Sequence, residues 1–72
     1  MEKVTVIIEY TGHNYCAHAP VLFGCVSTAD TLDEMKKNIK DAIVFHIESS
    51  LEFNDPIPDV FKGPYALEYI LL

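Results

Sequence analysis

The chain has 72 residues, enough for one domain, and half of them are apolar, which excludes the low-hydrophobicity, high-charge signature of a disordered chain. Eleven Asp and Glu stand against five Lys and no Arg, for a formal net charge of −6, so direct nucleic-acid binding is not expected: too few cations are present to neutralise phosphates. No apolar run approaches the roughly 20 residues of a membrane span.

Val4, Val6, Ile8 and Tyr10 share one parity, while Lys3, Thr5 and Glu9 share the other, with Ile7 as the exception. That alternation predicts a half-buried first strand. Thr11-Gly12-His13-Asn14 is turn chemistry, and Tyr15 to Ala19 can pair back as a hairpin. Pro20 stops that strand because it has no N–H to donate. A turn over Leu22 to Gly24 then leads to a third strand near Cys25 to Thr28.

Thr31-Leu32-Asp33-Glu34 is a capping box, with two acidic residues at the positive end of the helix that follows. Leu32, Met35, Ile39, Ala42, Ile43, His46, Ile47 and Ser50 fall on one stripe, predicting a helix from Leu32 to about Leu51 or Glu52. Pro56 biases Asp55 out of the helical region and ends it. Tyr65 to Leu72 reads as a last strand, apolar on both faces and therefore buried or paired with another chain. The order is β-β-β-α-β: an α+β fold, one domain over residues 1–72, with a small antiparallel-type sheet and one helix across one face.

The stretch Asn14 to Glu34, NYCAHAPVLFGCVSTADTLDE, is specific in order and spacing. Through Tyr15, Pro20, Leu22, Gly24, Cys25, Thr31, Leu32 and Glu34 it resembles the HicB-type antitoxin domain. The family's P-D-L-P is Pro20-Val21-Leu22-Phe23 here, and its glycine before D-T is Ala29. The resemblance implies a truncated ribonuclease-H-like fold and a partner that is a small basic toxin of the HicA type, an mRNA-cleaving ribonuclease. It carries the neutralising domain and not the helix-turn-helix or ribbon-helix-helix DNA-binding domain that many relatives append.

Enzymatic readings find little support. Two-metal nucleases need several converging carboxylates, but Glu9 is alone in its strand and Glu34 is accounted for by the cap. His13, Cys16, His18 and Cys25 could ligate a metal, yet they lack the paired spacing of a structural zinc site; surface histidines and a small buried Cys25 explain them better. No orienting group or oxyanion donor accompanies a Cys-His pair. His46 on the apolar stripe is best read as a core-edge histidine. Gly24 serves a turn, since no glycine-rich phosphate loop surrounds it. No enzyme activity, cofactor or metal is expected. The absence of a secretory signal predicts reduced thiols and a cytoplasmic protein.

Phe45 belongs to neither the core stripe nor a solvated face, and Val44 flanks it. Phe23, Phe53 and Phe61 add further apolar surface for so small a domain. The expected partner-binding residues are therefore Val21, Leu22 and Phe23 in the loop, Asp30 and Asp33 at the helix start, and Val44 and Phe45. Tyr69, Ile70, Leu71 and Leu72 are the expected dimerisation strand, since pairing across a two-fold axis would hide an open edge. Two functions follow: an antitoxin that occludes a basic toxin, or a solitary homo-oligomeric domain of structural or regulatory role without a toxin partner.

Overall fold

The computed structural model describes residues 1–72. Three strands, β1 (Glu2–Tyr10), β2 (Tyr15–His18) and β3 (Val26–Ala29), precede one helix, α1 (Leu32–Glu52). A 3₁₀ turn over Asp59–Lys62 then leads into β4 (Tyr65–Leu71). The strands order as β3-β2-β1-β4.

The two hairpins are antiparallel, with Ile8 opposite Ala17 and Ala17 opposite Ser27. β4 pairs with β1 in parallel, Val4 opposite Leu67 and Ile8 opposite Leu71. The sheet is thus mixed, which corrects the expected antiparallel type. The reason is the connection. A parallel pair needs a crossover of a dozen or more residues, and α1 with its following turn supplies one. Alternation within β4 is the same for either direction, so the strand itself cannot signal it.

α1 packs closest to β3 and β2. Small residues lie beneath it: Ala17 and Ala19 are buried, and Ser27 and Ala29 are half-buried. The core joins Val4, Val6 and Ile8 of β1 to Met35, Ile39 and Ile43 of α1, closed by Leu22, Cys25 and Phe61. Phe61, expected among the exposed aromatics, is instead turned inward by the 3₁₀ turn and meets Tyr65 edge to face at 5.0 Å.

The ends of α1 follow from local chemistry. Thr31 is extended, and its hydroxyl accepts from the Glu34 N–H at 3.2 Å. Only this half of the capping box forms; the Glu34 side chain stays in solvent. At the other end Asn54 takes φ 56°, and the Asp55 N–H returns to the Ser50 carbonyl at 2.7 Å. Asparagine tolerates this left-handed cap, and Pro56 prevents the helix from resuming.

Candidate protein-binding surface

The loop after β2 is a pair of linked turns. The Leu22 N–H donates to the Ala19 carbonyl at 3.0 Å, and the Cys25 N–H to the Leu22 carbonyl at 3.2 Å. Gly24 supplies the positive φ of 80° that the second turn requires. Alternate side chains therefore diverge. Leu22 enters the core, so it is not available to a partner, which corrects its place among the contact residues. Val21 faces solvent, and Phe23 is 97% exposed.

Helical steps of about 100° divide the surface of α1 into two flanks. On the β3 side, the Asn38 amide donates to the Thr28 carbonyl at 3.3 Å. Beyond it, Ala42, Phe45, His46 and Ser49 form one wall of a groove of about 440 Å³, with Gly24, Cys25 and Val26 opposite and Asp55 at the end. Phe45 is 73% exposed at this groove. The spacing from Phe45 places Asp41 one turn before it, and Glu48 and Glu52 one and two turns after it. All three are exposed.

The flank toward β4 has the opposite character. Lys36 lies over the Tyr69 ring, 5.1 Å from its centroid, and Lys40 lines a second groove of about 380 Å³ with Ile43, Tyr65, Ala66, Leu67 and Tyr69. Burial against these neighbours pushes the Tyr69 hydroxyl's pKa upward. Tyr69 is half-buried, whereas Ile70 and Leu71 of β4 and the following Leu72 are exposed. Val44 is also exposed, and its helical position turns it away from the Phe45 groove. Asp30 and Asp33 are exposed at the start of α1.

The register also accounts for Ile7. It stands opposite His18 and Ile70, and His18 opposite Val26, so four residues cross the outer face in one row. Sequence reasoning misses Val26, which is 66% exposed. Its parity against buried Cys25 is the available signal.

The candidate chemical residues do not converge. Cys16 is exposed on the outer face opposite Glu9, while Cys25 is buried, and burial raises its thiol pKa. No group of three or more His, Cys, Asp or Glu side chains is placed to hold a metal ion. No helix is long and apolar enough to cross a membrane. The distinctive features of the surface are exposed aromatics and carboxylates without internal ion-pair partners.

Comparison with known proteins identifies the lineage. The family model described as the HicB_like antitoxin of bacterial toxin-antitoxin systems matches residues 4–66. The chain belongs to the HicB-like antitoxin family. It is 43% identical over 66 residues to the UPF0150 protein ssr1765 of Synechocystis sp., covering 88% of this chain and 84% of that one. It is 42% identical over 53 residues to an uncharacterized 14.9 kDa protein from the rep-hol intergenic region of Haemophilus phage HP1, covering 74% of this chain and 40% of the relative. This chain thus spans well under half of the phage protein. Among solved structures, a chain of a HicA3 and HicB3 toxin-antitoxin complex shares the fold with a TM-score of 0.65 at 19% identity, over 85% of this chain and 92% of that one.

Proposed function

We propose that this chain is a non-catalytic antitoxin that binds a small basic HicA-like toxin and occludes its RNA-cleaving face. The family supports a role in a toxin-antitoxin system. One observation carries the physical reading: the sole ion pair of the structure is Lys62 with Asp59, so every carboxylate of α1 lacks an internal cation partner. Those charges remain free to compete with RNA phosphates for a toxin's lysines and arginines. The exposed candidates Val21, Phe23 and Phe45 offer apolar contacts, and Asp30, Asp33 and Val44 lie exposed elsewhere along α1 and its start. The domain acts in the cytoplasm, without a cofactor, and we read its sheet as a truncated ribonuclease-H-like one, which the parallel β1–β4 pairing supports.

Co-expression with a HicA-like toxin, sought first in the reading frames beside this chain's gene, tests this. A tight complex that restores growth is expected. Separate elution of the two chains, with growth still arrested, would refute it.

A specific observation favours self-association beside it. β4 is an edge strand whose end exposes Ile70, Leu71 and Leu72, a template for pairing with a second copy. Sedimentation of Ile70→Lys is expected to give a monomer where the parent chain gives a dimer. A parent chain that is itself monomeric at tens of micromolar would remove this second reading.

A further inference from the structure

We propose that the groove between α1 and β3 is the docking surface for the small basic partner, with Phe45 as its apolar anchor and the carboxylates around it as its cation-binding rim. The inference rests on the antitoxin reading and adds the place and the chemistry of the contact.

Apolarity and charge coincide at this groove. Phe45 stands 73% exposed at its wall. Gly24 lines the opposite side, and its neighbour Phe23 is almost wholly in solvent. Asp55 lies in the groove, while Asp41, Glu48 and Glu52 stand beside Phe45 on its solvent side, at helical spacings of four, three and seven residues. No lysine lines it, and none of these carboxylates is in an ion pair. Asp41, Glu48 and Glu52 outnumber the one lysine of that helix face, Lys37 one turn before Asp41, so the face stays acidic and a partner's cations relieve its repulsion on binding. Aromatic side chains at the centre of a charged rim are the arrangement that concentrates binding energy.

The same charges decide between occupants. A second copy of this chain would bring a net charge of −6 against an acidic rim. Nucleic acid would be repelled in the same way. The opposite flank, where Lys36 and Lys40 stand beside β4, would repel a basic protein. Of the two flanks of α1, the β3 flank is the one that fits a basic protein with an apolar contact.

The test uses the full chain and a HicA-like toxin, sought first in the reading frames beside the chain's gene, co-expressed and then titrated as purified proteins. Phe45→Lys and Cys16→Lys add the same charge on opposite sides of the molecule, and both positions are exposed, so circular dichroism should show each variant folded. Phe45→Lys is expected to weaken binding by about a hundredfold, and Phe45→Ala by about tenfold. Cys16→Lys is expected to stay within about twofold of the parent. Equal weakening by the two lysine variants, or none by Phe45→Lys, overturns the assignment while leaving the antitoxin reading standing. A parent chain that does not bind the toxin overturns that reading and this surface with it.

Discussion

Ile39→Ala is expected to destabilise the domain by about 2–5 kcal/mol, enough to unfold much of the population at ambient temperature. Ile39 is fully buried in mid-helix, one turn from Met35 and from Ile43, in one core with Val4, Val6 and Ile8 of β1. The substitution removes three buried carbons where only 11 residues form the core, so few neighbours are available to collapse into the void. A domain of this size also begins with a thin margin. Phe45→Ala, on an exposed face of the same helix, should change stability by no more than about 0.5 kcal/mol. Urea denaturation followed by far-UV circular dichroism measures both. Similar midpoints for the two variants would mean that the β1–α1 contact is not the centre of the fold.

The second large effect concerns encounter with the partner. Reversing Asp41, Glu48 and Glu52 to lysine changes the charge by two units at each position and carries the chain from −6 to neutral. Association with a basic toxin is expected to slow by about 10- to 100-fold at low salt, because steering depends on opposite fields. The parent's association rate should fall steeply between about 50 mM and 500 mM salt, where screening shortens below about 5 Å, whereas the variant's should stay nearly flat. Dissociation should change less, since exposed charges act mainly on encounter. Stopped-flow mixing over that salt range reads both rates. An unchanged association rate would mean that these carboxylates do not face the partner.

Much of the architecture is legible in the amino-acid sequence. The Thr31 cap, the apolar stripe from Leu32 and the Pro56 stop predict a helix ending near Glu52, and α1 runs Leu32–Glu52. These features are local, set by side chains that bond their own backbone within a turn. The family resemblance is readable too, because its residues cluster in one loop where turn geometry dictates identity. The candidate site is legible in part. Phe45 stands out by its misfit to the helical stripe. Leu22 does not, because a linked pair of turns sends adjacent residues in opposite directions, which composition does not reveal.

Sequence alone therefore determined the class of fold, the helix with its two ends, the acidic character and the family. Each is written in neighbouring residues or in a sum over all of them. Only the tertiary structure decided that β4 lies parallel beside β1, that Phe61 is core and that Ile7 joins a row with His18, Val26 and Ile70. It also decided that Phe45 stands at a groove against β3 while Lys36 and Lys40 stand beside β4. The reason is physical: these features depend on which distant segments meet across the sheet, and a strand's alternation or a helix's stripe is identical whichever neighbour it finds.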